Sequence, residues 1–492
     1  MKFERSSGIL LHITSLSGKY GIGSLGKEAH EFVDFLKKSE QKLWQIFPLG
    51  PTGFGDSPYQ TFSAFAGNPL LIDLDLLIDE KLLEQSNLDN LSAFSETEID
   101  FGELITVKDR ILRKAFDNFE VSENYNEFHD EEQDWLNDFA LFMSLKKHFQ
   151  GASWSHWDRD IKLRELQAIE YYNEELKDEI NYHKFLQFIF FQQWEKLHDY
   201  ARKNNIKIIG DIPIFIGFDS ADAWVNSDIF YFDENREPTK VAGVPPDGFS
   251  ETGQLWGNPL YDWEAMEKDG FKWWIKRFEA ALKQVDILRI DHFIGFVNYW
   301  AVPFGDKTAE NGKWETAEGD KLFQQVQNKL GSLPIIAEDL GVLTPEIIKL
   351  RDQYGFPGMK VLQFAFYDGM EGGFLPHNFT ENFVVYTGTH DNETTKGWFS
   401  NLPENVRDFT CSYLNFSGNE SEIADKLIEA AWKSIAVFAI APMQDFLNLD
   451  NSARMNYPGI AGGNWQWRMK KQYLTDELAD KICRITEKFG RN

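Results

Sequence analysis

The feature that most constrains this chain is a rhythm: short apolar runs rich in β-branched residues recur along it, each ending in or near Gly, Pro, Asp or His. They lie at residues 8–13, 43–48, 206–212, 287–291, 334–338, 360–366, 384–389 and 437–441. Unbroken apolar runs of this kind are strands covered on both faces, as in a parallel sheet flanked by helices. Helical patterns sit between several of them. Residues 28–39 put Phe32, Val33 and Leu36 on one face, and residues 346–354 follow the start signal Thr344-Pro345. Strands alternating with helices in this number predict an α/β fold, a closed (β/α)8 TIM barrel in which residues 1–492 form a single elaborated domain.

Two long insertions interrupt the rhythm. Residues 73–203 are acidic, with Leu and Phe at helical spacing, and read as a helical insertion subdomain; residues 218–276, rich in Gly, Pro and aromatics, read as a loop-rich insertion over the carboxyl ends of the strands. No apolar run approaches the ~20 residues a bilayer span needs, so no membrane partner is expected. The opening Met-Lys-Phe-Glu-Arg-Ser-Ser-Gly lacks a secretory signal pattern, which points to a cytoplasmic protein. The two cysteines, Cys411 and Cys483, have no metal or redox spacing and read as free thiols. A formal net charge of −28 opposes nucleic acid, whose phosphates draw on Lys and Arg clusters, but places no penalty on a neutral partner. With 16 Trp and 42 Phe, aromatics exceed what a core tends to use, and Trp or Tyr in loops are suited to stacking on sugar rings.

In such barrels reactive groups project from the carboxyl ends of the strands. Here those ends carry acids: Asp211 on the third run, Arg289 and Asp291 on the fourth, Glu338-Asp339 on the fifth and His390-Asp391-Asn392 on the seventh. A single terminal carboxylate is more often a cap or turn former. Four in register are harder to explain that way. Side chains alternate along a strand, so Arg289 and Asp291 share a face, an arrangement that suits a nucleophilic carboxylate as well as a structural ion pair. Glu338 ends an apolar run beside Asp339, and desolvation with a like charge would keep it protonated for acid work. Neighbouring strands lie about 4.8 Å apart, closer to the roughly 5–5.5 Å of a retaining glycosidase pair than to the roughly 6.5–9.5 Å of an inverting one. A third carboxylate at Asp391 would bind sugar hydroxyls and stabilise an oxocarbenium-like transition state, with His390 donating a further hydrogen bond.

Two loops extend this reading. Residues 243–259 hold Asp247, Phe249, Gln254 and Trp256 among glycines and prolines, as a surface loop or a shaped lid would, and residues 50–60 offer Ser57 and Tyr59 to a sugar or form an ordinary turn. Gly21-Ile-Gly-Ser-Leu-Gly26 matches a dinucleotide fingerprint but lacks the acid that should follow a second strand. No Walker loop, HExxH, GxSxG or EF-hand loop occurs.

Together these motifs closely resemble the amylomaltases, the 4-α-glucanotransferases distantly related to the α-amylases. The resemblance spans nearly the whole chain: Arg5-Ser-Ser-Gly-Ile-Leu-Leu-His, Gly-Asp-Ser-Pro-Tyr59, Gly-Asp211-Ile-Pro-Ile, Gly-Gln-Leu-Trp-Gly-Asn-Pro, Leu-Arg289-Ile-Asp291-His-Phe, Ala-Glu338-Asp-Leu-Gly, Gly-Thr-His390-Asp391-Asn and Asn464-Trp-Gln-Trp-Arg. It implies Asp291 as nucleophile, Glu338 as acid/base and Asp391 as transition-state stabiliser. It further implies that Tyr59, Asp211, Arg289, His390 and Asn464 contact sugar at the cleavage point, and that Asp247, Gln254 and Trp256 belong to a loop over bound glucan. No metal and no cofactor is implied. The reaction would move a segment of an α-1,4-glucan or maltooligosaccharide to the 4-hydroxyl of glucose, maltose or a longer acceptor. A hydrolase using the same carboxylates, with water as acceptor, and a non-catalytic glucan-binding protein are the alternatives.

Overall fold

The computed structural model describes residues 3–89, 91, 94–246, 250–460 and 462–492. Twelve strands stand out among them: β1 (Ser6–Leu10), β2 (Leu43–Gln45), β3 (Lys207–Pro213), β4 (Lys240–Val244), β5 (Gln254–Pro259), β6 (Ile287–Asp291), β7 (Asn298–Pro303), β8 (Lys313–Thr316), β9 (Ile335–Ala337), β10 (Gly358–Val361), β11 (Phe383–Tyr386) and β12 (Phe438–Pro442). Each apolar run of the sequence overlaps one strand of an eight-stranded parallel sheet, in the order β10-β11-β12-β1-β2-β3-β6-β9. The expected (β/α)8 barrel is therefore the fold.

The sheet closes at the β9–β10 seam by other means than a ladder. Ala337 N donates to the Pro357 carbonyl at 2.9 Å. Asp339 then accepts from Met359 N at 2.8 Å and from Arg351 at 2.6 Å. A Cβ on Gly358 would sit 2.5 Å from the Asp339 carboxylate, so this close approach requires glycine. Inside the barrel, the buried Tyr386 hydroxyl donates to Gln45 Oε1 at 2.8 Å, so that layer is polar but satisfied.

The helices follow from their apolar stripes. Lys27–Lys38 buries Phe32, Val33 and Leu36, spaced at one, three and four residues, against the barrel. Pro345–Gln353 opens on the proline that its first turn tolerates. Between β2 and β3 the long helices Glu123–His148 and Lys177–Lys203 pack on each other, with Tyr125, Phe128 and Trp135 of the first meeting Phe188 and Phe191 of the second. Among the described residues no helix is long and apolar enough to cross a membrane.

The stretch 218–276 is more regular than its composition suggests. It holds the helices Ala221–Val225 and Trp263–Asp269 as well as β4 and β5, which join β7 and β8 in an antiparallel sheet of order β5-β4-β7-β8. Glycine and proline there mark a bulge between Val241 and Gly243 and the strand ends, rather than an absence of strands. The glycines of residues 21–26 have a packing cause: a Cβ on Gly23 would strike the Ile13 carbonyl and one on Gly26 the Asp73 carboxylate. That packing accounts for these glycines without a nucleotide.

At the amino-terminal end of the strands two guanidiniums are spread over backbone carbonyls. Arg491 donates to Trp432 (2.6 Å), Ser6 (3.0 Å), Ser434 (2.9 Å) and Ala436 (3.0 Å), and Arg5 to Trp432 (2.8 Å), Ser434 (3.0 Å) and Gly490 (3.0 Å).

Candidate active site

The acids gather at the other end because register puts them there. Asp211 on β3 pairs with Arg289 on β6, and Ile290 on β6 pairs with Ala337 on β9, so the next residues, Asp291 and Glu338, emerge side by side. Alternation points Arg289 and Asp291 the same way. Arg289 is buried and donates to Asp211 Oδ2 at 2.5 Å and Asp291 Oδ1 at 2.9 Å. The Asp291 side chain keeps 31% of its surface exposed, and it opens onto a cleft of 420 Å³.

Glu338 is buried, its two oxygens accepting the backbone N–H groups of His292 (2.7 Å) and Leu340 (3.0 Å). Burial foremost, and then the charge of Asp291, push its carboxyl up to about 8, against the opposing pull of Arg289 and the two amides. The sequence assigned the like charge to Asp339. The structure corrects this: Asp339 turns away to Arg351 and Met359 N, because its own alternation directs it to the β9–β10 seam. Adjacent strand ends thus carry one carboxyl group open to the cleft beside Arg289 and one buried and held protonated.

Asp391 completes the group from the loop after β11. Its Oδ2 lies 3.3 Å from His390 Nε2, and its Oδ1 accepts from Asn456 at 2.6 Å. Burial works to raise its pKa, but His390, Asn456 and Arg289 outweigh it and hold the carboxyl down at about 2. His390 stacks on Tyr59 at 5.0 Å and meets the edge of Phe47 at 4.8 Å. Behind it His12, buried and accepting from Phe47 N at 3.1 Å, is pushed down to about 3 by burial and by His390, and so stays neutral.

The remaining sequence candidates divide into four groups. Ser57, Tyr59, Trp256 and Asn464 line the cleft with Asp291. Asp211 is fully buried beneath them: burial lifts its carboxyl to about 6, and its Oδ2 is shared by Arg289 and the Tyr59 hydroxyl (2.9 Å), through which it reaches the cleft. Gln254 is exposed at the start of β5, its Oε1 accepting from the Trp256 indole at 3.2 Å. Asp247, with Phe249, lies outside the described residues. Sequence reasoning missed His292, held in a left-handed turn (φ 54°) with its ring edge-on to Trp256 at 4.8 Å; its signal was its place directly after Asp291. It also missed Asn456 and Tyr457, for which no local signal exists.

A parallel barrel with reactive groups confined to the carboxyl ends of its strands defines a (β/α)8-barrel enzyme. The chain belongs to the 4-alpha-glucanotransferase family, whose sequence pattern matches residues 11–475. It is 51% identical to the 4-alpha-glucanotransferase of Clostridium butyricum over 98% of this chain and 100% of that protein, and 46% identical to that of Thermus thermophilus over the full length of both. The solved structure of amylomaltase from Streptococcus agalactiae in complex with acarbose has a TM-score of 0.97 at 42% identity, covering 99% of this chain and 100% of that one. Amylomaltase from Corynebacterium glutamicum, at 17% identity, shares the fold with a TM-score of 0.82 over 99% of this chain and 75% of that one.

Proposed function

We propose that the chain transfers α-1,4-glucan segments by a retaining double displacement. Glu338 donates its proton to the bridging oxygen while Asp291 attacks the anomeric carbon, so the glycosidic bond breaks and a glucosyl ester of Asp291 forms. Glu338, now a carboxylate, takes the proton of an acceptor 4-hydroxyl. The acceptor oxygen displaces Asp291, and the configuration is retained overall. Asp391, with His390, faces the positive charge that develops on the ring and binds its hydroxyls. The observation that carries this reading is the contrast between two adjacent carboxyl groups: Asp291, exposed to the cleft and paired with Arg289, and Glu338, buried and pushed up to about 8.

Ser57, Tyr59, Arg289 and Asn464 would contact sugar around the bond that breaks, with Asp211 orienting Tyr59 and Arg289 from below. Trp256 would stack on a ring, in a lid to which Gln254 and Asp247 belong and which residues 218–276 carry; residues 73–203 would form a separate helical insertion subdomain. The donors are maltooligosaccharides and α-1,4-glucans, the acceptors glucose, maltose or longer chains, and the setting the cytoplasm. The acarbose complex of the Streptococcus agalactiae amylomaltase supports the substrate class.

Incubation with maltotriose tests the reading. Glucose release with a ladder of longer maltooligosaccharides, absent in Asp291→Asn, is expected. Glucose and maltose without longer chains would mean that water is the acceptor, and a ladder persisting in Asp291→Asn would remove Asp291 as nucleophile.

A further inference from the structure

The grip on Asp391 has two sides, and one of them belongs to no sequence motif. His390 approaches Oδ2, while Asn456 Nδ2 donates to Oδ1 at 2.6 Å from a loop 65 residues further along the chain. Asn456 is itself held. Arg454 donates through Nε to the Asn456 carbonyl (2.8 Å) and through Nη2 to the Asp391 carbonyl (2.7 Å), so one guanidinium ties the two backbones together, and it lies over the Tyr457 ring at 4.2 Å. Tyr457 N in turn donates to Asn464 Oδ1 at 3.0 Å, and Asn464 Nδ2 to the Ile460 carbonyl at 2.8 Å. Asn456, Tyr457 and Asn464 all line the cleft.

We propose that Asn456 is a positioning residue for glucan transfer: it holds the Asp391 carboxylate in the orientation from which it faces the reacting sugar. This rests on the reading of Asp391 as transition-state stabiliser. An amide suits the task because it donates a hydrogen bond without adding charge. A cation at this place would neutralise Asp391 and weaken its attraction for an oxocarbenium-like sugar, and a second carboxylate would repel it. The charged and titratable groups around Asp391 are His390 on its own loop, Arg289 from β6, Tyr59 from the loop after β2 and Arg454, whose guanidinium binds the Asp391 and Asn456 carbonyls rather than the carboxylate. None of them replaces a donor on Oδ1.

The Asp391 side chain is 47% exposed to water. A sugar in the cleft displaces that water, and the Asn456 bond strengthens as the local dielectric falls. Its contribution then appears in the transition state, and so in kcat rather than KM.

The test compares Asn456→Ala and Asn456→Asp with wild type on maltotriose across about pH 5 to 8, with Asp391→Asn as control. Asn456→Ala should lose about ten- to a hundredfold in kcat at every pH, with KM nearly unchanged, the range expected when a hydrogen bond to a charged group is lost. Asn456→Asp has the same shape as the natural side chain and donates only while it carries a proton. Its activity relative to wild type should therefore fall as pH rises and the carboxylate pair gives up its shared proton. A role confined to folding would lower both variants by a factor that does not change with pH. A flat ratio for Asn456→Asp, or an unchanged kcat in Asn456→Ala, overturns the proposal. If Asp391→Asn retains full activity, the assignment of Asp391 fails instead, and the proposal with it.

Discussion

At the amino-terminal end of the barrel the charges are the guanidiniums of the half-buried Arg5 and the buried Arg491, shared among carbonyls that include those of residues 6, 432, 434, 436, 489 and 490. At the carboxyl end they are carboxylates crowded on one another, Asp211, Asp291 and Glu338 around the single guanidinium of Arg289, with Asp391 nearby. Neutral dipoles solvate a cation without needing a second charge, so the first arrangement stabilises the fold. The second moves carboxyl groups out of their ordinary range, Asp211 and Glu338 upward and Asp391 downward, which serves chemistry rather than the fold. One scaffold thus separates stability from reactivity by the direction of its strands.

Exchanging Glu338 for Gln separates the two ends most sharply. Transfer from maltotriose should fall about 10⁴-fold or more in kcat, while the variant stays folded at a cost of about 1–3 kcal/mol, since its amide nitrogen meets a backbone N–H that the carboxyl accepted; loss of the folded state along with the activity would break the comparison. The mirror experiment is Arg491→Met. It should cost about 3 kcal/mol in urea unfolding by leaving buried carbonyls unpaired, with kcat within about twofold of wild type wherever both proteins are folded. Lost activity in the folded variant would mean that the amino-terminal end reaches the site.

A pH series sharpens the contrast. Glu338 must be protonated to act as acid, so kcat/KM should fall about tenfold per pH unit above its pKa of about 8. The same proton has a stability consequence. The native state keeps it up to about 8, whereas the unfolded chain releases it near the free glutamate value of roughly 4.3. Between those values the native state binds more protons, so this group's contribution to stability declines as pH rises. Wild type should lose urea stability relative to Glu338→Gln across that window, and parallel curves would show that Glu338 is not raised. The smallest effect is expected for Trp256→Ala, a roughly three- to tenfold rise in KM for maltotriose with little change in kcat.

Much of this was legible in the chain itself. The strand positions, the acids at their ends and the shared face of Arg289 and Asp291 all follow from period-two alternation and apolar runs, which are local. The motif around Arg5 looked no different from those around Tyr59 or Asp391, yet it serves the opposite end of the barrel. The antiparallel sheet was hidden because β4 and β5 lie in glycine- and proline-rich sequence, and their pairing with β7 is non-local.

The sequence by itself determined the barrel and which carboxyl groups reach its carboxyl end, since strand alternation and burial patterning are written into neighbouring residues. Only the tertiary structure decided what each group faces: Asp339 directed to Arg351, Glu338 set against Asp291, Asp391 bonded by Asn456. Those contacts join residues 12 to 65 positions apart, and a carboxylate's chemistry depends on its spatial neighbours, whose identity no local period encodes.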